Sequence, residues 1–209
     1  MSQFALPLGG AGGRGPERIV VGNANQGVLD AFAQAASWPF RTAVLFGPPR
    51  SGKSLLARWF VESGAGDAID DAALLDETEL FHRWNRSQEA GAPLLLVGRG
   101  EEGSWEIALP DLRSRLGAAL RLAIGTPDDA MLEELIAVHA EQRGLILGDG
   151  AAQYLVPRVE RSHIAIERIV ATIDRLSLER KQAATLAIWR EALDEVTGGG
   201  QPSGQPRLL

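Results

Sequence analysis

Cysteine is absent from the chain. That excludes disulfides, thiolate metal sites and thiol nucleophiles together, and it suits a reducing cytoplasm. Lysine is nearly absent, with Lys53 and Lys181 the only two. The net charge is −6 and neither half carries a basic cluster. The chain therefore lacks the patch that autonomous nucleic-acid binding needs to displace counterions, so a protein partner is expected rather than direct sequence-specific DNA binding. No apolar run approaches membrane-spanning length, so no membrane association is expected. His82, His139 and His163 stand singly, which favours packed or surface positions over a metal site. Trp59, Trp84, Trp105 and Trp189 suit core or interface packing and lack the basic neighbours that base stacking would want. What is present is globular: 45% hydrophobic and 23% charged over 209 residues, enough for one ordinary domain or a compact core with a small second one.

The first residues read Gln3-Phe-Ala-Leu-Pro-Leu8, followed by Gly9-Gly-Ala-Gly-Gly13. Large apolar residues beside a glycine run are costly to hold against their own core, because the run fixes no geometry. Composition leaves a frayed end, an edge strand docked on its own module, or a peptide meant for another protein's pocket. A signal peptide is set aside for want of a basic start, a long apolar run and a cleavage site. Val28, Leu29, Phe32 and Ala36 then follow helical spacing. Thr42–Phe46 is a short apolar run without polar alternation, as expected of a buried parallel strand. Further strands are expected at Ala68-Ile69, Leu94–Val97 and Leu120–Ile124, with helices between them such as Glu77–Ala90. That alternation predicts a parallel sheet covered on both faces. From Gly125 the character changes. Thr126 as cap and Pro127 at the first helical position open a helical region read as 127–143, 149–158, 162–177 and 185–197, with Leu132, Leu135, Ile136, Ile166, Ile169, Val170 and Ile173 as buried faces. The expected organisation is residues 1–16 as a flexible peptide and linker, 17–125 as the core, 126–197 as a helical lid, and 198–209 as a compositionally disordered tail.

Gly47-Pro-Pro-Arg-Ser-Gly-Lys-Ser54 matches the phosphate-binding loop in full and lies between an expected strand and an expected helix. Its glycines let backbone N–H groups close round phosphate oxygens, the helix N-terminus adds positive potential, Lys53 reaches the outer phosphates and Ser54 can ligate Mg²⁺. A chance turn is the bland alternative, and the strand–loop–helix context disfavours it. Asp70-Asp71, ending an apolar strand, supply a carboxylate for Mg²⁺ and one to orient water. Acids in this place also cap helices, and Asp67, Asp76 and Glu77 crowd the same stretch.

A P-loop sheet followed by a helical lid resembles the AAA+ ATPases. Ile19-Val-Val-Gly22, Pro110-Asp-Leu-Arg-Ser-Arg-Leu116 and the lid pattern are similar to the DnaA-homologous Hda family, over about residues 17–197. DnaA carries a helix-turn-helix domain beyond that point, and nothing here could form one. The resemblance implies a P-loop AAA+ parallel sheet with a small α-helical lid. It places Val21, Gly22, Gly47, Pro48, Pro49, Arg50, Ser51, Gly52, Lys53, Ser54, Leu55, Asp70, Asp71 and Arg168 around ADP or ATP, with Ser54 and Asp70 on Mg²⁺. It makes Gln3, Phe4, Leu6, Pro7 and Leu8 a peptide for the polymerase sliding clamp, and Arg115 an arginine finger acting on ATP held by DnaA, with Arg113 as its internal control. The implied protein is a cytoplasmic negative regulator of replication initiation, a homo-oligomer being compatible with the family. An autonomous ATPase, such as a loader or remodeller, and a clamp-bound recruiter without catalysis are the competing readings.

Several departures from the family pattern modify this picture. The segment from Phe60 to Asp70 is too short for the usual strand and helix, so the sheet is expected to lack one edge strand. The sensor position after the central strand reads Leu96-Val-Gly-Arg99, a cation in place of a polar residue. The lid position for a nucleotide-sensing arginine falls on Ile164, with Arg161 and Arg168 a turn away on either side. These losses favour a domain that holds nucleotide with little turnover of its own.

Overall fold

The computed structural model describes residues 5–7, 18–100, 103 and 105–198. They form two compact units, Met1–Asp128 and Asp129–Leu209. In the first unit, β1 (Ala5–Pro7) pairs antiparallel with β2 (Arg18–Val20), in the register Ala5 to Val20 and Pro7 to Arg18. Three residues of the N-terminal segment thus lie along β2 of their own module, the docked-strand alternative, rather than apart from it. Gln3, Phe4 and Leu8 fall outside the described residues.

The central sheet is parallel, with β3 (Thr42–Phe46), β4 (Asp67–Ile69), β5 (Leu94–Val97) and β6 (Leu120–Ala123) in the order β4-β5-β3-β6. β3 and β5 are buried throughout, as uninterrupted apolar runs demand in a sheet covered on both faces. Alternation divides the side chains. Val44, Phe46, Leu94 and Leu96 pack with Leu80 and Trp84 of α3 (Glu77–Ala90) and with Leu112 and Leu116 of α4 (Pro110–Gly117). A second aromatic cluster joins Phe32 of α1 (Gln26–Phe32), Trp38, and Trp59 and Phe60 of α2 (Lys53–Glu62); Trp38 and Phe60 stack at 5.4 Å with 11° between their planes.

Among the described residues the sheet has four strands, with β4 and β6 at its two edges. The chain leaves α2 and enters β4 through Ser63-Gly-Ala-Gly66. A Cβ on Gly66 would come within 2.4 Å of the Pro93 carbonyl oxygen and 2.9 Å of the Phe60 ring, so this close passage admits no side chain.

The second unit is helical: α5 (Asp129–Arg143), α6 (Ala151–Leu155), α7 (His163–Arg180) and α8 (Leu186–Gly198). Met131, Leu132, Leu135 and Ile136 of α5 and Ile166, Ile169, Val170 and Ile173 of α7 are buried, at helical spacing. Arg175 binds Glu179 on its own helix and Glu195 on α8, and Arg180 pairs with Glu191. Three helical segments differ from expectation by two residues or more. α5 starts at Asp129 rather than Pro127, because Thr126 and Asp128 are engaged by Asn23, whose amide donates to Thr126 O and accepts from Asp128 N. The segment read as 149–158 is a short α6 followed by a 3₁₀ turn at Val156–Arg158, where Pro157 has no N–H to continue the ladder. α7 runs on to Arg180 and stops at Lys181, which adopts a left-handed φ of 52°.

Candidate nucleotide site and arginine platform

β3 delivers the chain into the loop Gly47–Ser54, and α2 begins at Lys53 with Gly52 as its N-cap. Arg50 and Gly52 take left-handed φ values of 64° and 87°, which turn the backbone sharply into the helix. The opening turn of α2 carries the N–H groups that a helix leaves without internal partners, at its positive end. Lys53 Nζ folds back over the loop and donates to Gly47 O at 2.7 Å and Pro48 O at 2.9 Å. Burial lowers the Lys53 pKa from its ordinary 10.5, against the opposing pull of the nearby Asp70 and Asp71 charges. Ser51 is buried, and its hydroxyl has no hydrogen-bond partner among the described residues. Ser54 is exposed on the first turn of α2. Unpaired helix-end donors, a retracted ammonium and an orphaned buried hydroxyl together fit a polyanionic ligand.

The carboxylate side is more compromised. Asp70 Oδ1 accepts from the Asp71 amide at 2.9 Å, and Asp71, at a left-handed φ of 47°, has Arg99 Nε 3.7 Å from its Oδ1. The Arg99 cation therefore faces the acidic pair. No three His, Cys, Asp or Glu side chains among the described residues gather into a metal-sized cluster. A Mg²⁺ held by Ser54 and Asp70 would take its remaining ligands from phosphate and water, as this ion commonly does.

Val21 is buried and Gly22 begins a turn closed by Asn25, whose side chain accepts from Gly22 N at 3.0 Å and donates to Val20 O at 2.8 Å. Gly125 N donates to Ala24 O, so this turn is fastened to the chain leaving β6. Asn25 was not singled out in the sequence, though an Asn directly before a helical repeat is a recognisable cap signal. In the helical unit, Arg161 pairs with Asp129 at 2.7 Å, while Arg168 and Ile164 are exposed on α7.

Arg115 lies near the end of α4 and is held by α3. Its guanidinium carbon sits 4.6 Å from the Phe81 ring centroid and 4.5 Å from that of Trp84, and Nη1 donates to Asn85 Oδ1 at 2.7 Å. Arg113 is placed quite differently. It is exposed, donates from Nε to Ile107 O at 2.7 Å, and lines a cavity of about 520 Å³ with Trp105, Ile107 and Arg121.

Residues 128–193 match the family model described as Hda, lid domain. Over that span the chain resembles Hda. The first unit has the parallel sheet of the AAA+ fold. Domain III of the Thermotoga maritima replication initiation protein DnaA superposes with a TM-score of 0.67 at 15% identity, covering 84% of this chain and 93% of that one. The FIGL-1 AAA domain in complex with ADP gives 0.62 at 14% identity, covering 86% and 83%. An uncharacterized protein of Haemophilus influenzae is 29% identical over 122 residues, 57% of this chain; the match spans about half (53%) of that relative's length.

Proposed function

We propose that this Hda-like chain regulates replication initiation by acting on ATP held by DnaA while docked on the polymerase sliding clamp. The observation that carries the reading is one chain joining a complete phosphate-binding loop to a region, 128–193, that matches the Hda lid. The loop holds ADP or ATP with Mg²⁺ as a resident ligand. The Arg99 guanidinium beside Asp71 weakens the carboxylate that would orient water, which supports little turnover at this site. Arg115 supplies a permanently charged guanidinium to the γ-phosphate of the neighbouring nucleotide. Residues 3–8 engage the clamp as an extended peptide; because Ala5–Pro7 already pairs with β2, docking exchanges one set of backbone contacts for another.

The test follows the hydrolysis of radiolabelled ATP preloaded on DnaA, with the chain added in the presence and absence of clamp loaded on DNA. Acceleration that needs the clamp supports the reading, and Leu6→Ala with Leu8→Ala should abolish it while leaving the chain folded. No acceleration in any arm overturns it. The engagement of Arg115 within its own module favours a second reading, a recruiter that brings DnaA to the clamp without catalysis. In that case DnaA co-assembles with clamp and chain, and its ATP survives unchanged.

A further inference from the structure

α3 carries one continuous stripe aimed at α4 and β3. Glu77, at its start, accepts through its two carboxylate oxygens from Ala108 N at 2.8 Å and Leu109 N at 2.5 Å, so it holds the backbone where α4 begins. One turn on, Phe81 meets the Arg115 guanidinium; the next turn brings Trp84 and Asn85 to the same group. Trp84 Nε1 donates to the buried Thr42 Oγ1 at 3.0 Å, and Gln88 Nε2 donates to Phe40 O at 2.8 Å, so the far part of the stripe is bolted to the head of β3. The positions 77, 81, 84, 85 and 88 follow the spacing of a single helical face.

We infer that this stripe is a positioning device for Arg115: Phe81 and Trp84 hold the guanidinium over their ring faces, Asn85 holds it by one hydrogen bond, and its other N–H donors are left for an anion outside the module. This rests on the reading that Arg115 acts on a partner's nucleotide. The geometry separates the two tasks. Cation–π attraction to a ring spends none of the guanidinium's N–H groups on a nitrogen or oxygen acceptor, so holding it over the rings leaves its capacity to bind phosphate oxygens. Of the five donors of the side chain, one is taken by Asn85, and the side chain makes no other hydrogen bond to the described residues. The side chain is half-buried, so the stack also removes rotamers that a free surface arginine would have to give up on reaching a phosphate. Asn85 is the specific member, because an apolar residue there would keep the packing but leave rotation of the guanidinium in its own plane unchecked.

The experiment uses the full chain with DNA-loaded clamp and ATP-loaded DnaA, and measures the maximal hydrolysis rate and the half-saturating concentration separately. Asn85→Ala and Phe81→Leu should each lower the maximal rate about tenfold to a hundredfold, with half-saturation unchanged. Asn85→Asp, which keeps an acceptor oxygen, should restore most of the rate. A thermal-stability cycle on the chain alone should show that the effects of Arg115→Ala and Asn85→Ala are not additive. Additive stabilities overturn the platform. A full rate in both Asn85→Ala and Phe81→Leu, where Arg115→Ala is inactive, overturns positioning and leaves the finger intact. A full rate in Arg115→Ala overturns the finger reading on which the inference rests. A rise in half-saturation at unchanged maximal rate overturns positioning in favour of a docking surface.

Discussion

Two cations in the first unit are held in contrasting ways. Lys53 is tethered by its charged head to the loop's own carbonyls and drawn toward Asp70 and Asp71, and burial lowers its pKa. Arg115 is tethered by the faces of two rings and one amide oxygen. The lysine spends two of its three donors on the loop, so a phosphate must share the third or displace a loop contact. The arginine keeps most of its donors and needs no such exchange. A compact ammonium has no face to be held by, whereas a planar guanidinium does, and the two residues are not interchangeable for that reason.

The sharpest way to break this contrast is to remove the arginine. Arg115→Ala should reduce the stimulated hydrolysis of DnaA-bound ATP on the order of 10³-fold, while Arg113→Ala should cost much less, both read in the single-turnover assay. Equal losses would make the two arginines parts of one docking surface. Next in size is the lysine. Nucleotide at about a hundred times its dissociation constant should stabilise the wild-type chain by about 2.7 kcal/mol, and Lys53→Ala should lose most of that gain in a thermal-shift titration. A shift that survives Lys53→Ala would separate nucleotide binding from the loop.

A smaller effect tests the anchoring of α3. Thr42→Val keeps shape but strands the buried Trp84 N–H, and should cost about 1–3 kcal/mol in denaturant unfolding. The smallest effect concerns protons. The folded chain releases the Lys53 proton at lower pH than the unfolded chain does, so in the window between the lowered pKa and 10.5 the unfolded state binds more protons and stability rises with pH. Relative to Lys53→Met, the wild type should gain stability as pH climbs through that alkaline window, and the difference should be flat below it. A wild-type curve parallel to that of Lys53→Met throughout would show that burial of the ammonium carries no penalty.

The sheet was legible because Thr42–Phe46 and Leu94–Val97 are uninterrupted apolar runs, and the loop because strand, glycines and helix stand in fixed order. The direct passage from α2 into β4 was legible as simple shortage of chain between Phe60 and Asp70. The start of α5 was misread because Thr126 and Pro127 satisfy a capping rule, while a residue far back in the chain, Asn23, takes hold of this stretch. Pairing of Ala5–Pro7 with β2 stood only as one open alternative, because no local pattern encodes a partner across a glycine run. The stripe on α3 was present at helical spacing, yet its meaning lay in Arg115, which arrives from another helix. Phe40 and Arg41, with left-handed φ values of 48° and 46°, carry no turn signal of their own; the contacts from Gln88 to the Phe40 carbonyl and from Arg41 to the Gly91 carbonyl hold them there.

The bare passage at Gly66 bears on how the phosphate site comes together during folding. Lys53 opens α2 and Asp70 follows β4, so both charged sides of the site sit on one helix–turn–strand excursion with no strand inserted between them. Closing that short excursion costs little chain entropy, and the contacts it brings are local in sequence. Pairing of β6 with β3, by contrast, must wait for the whole intervening chain to be gathered in. Lengthening the turn at Ser63–Gly66 would therefore slow assembly of the loop's acidic side more than it would loosen the finished sheet.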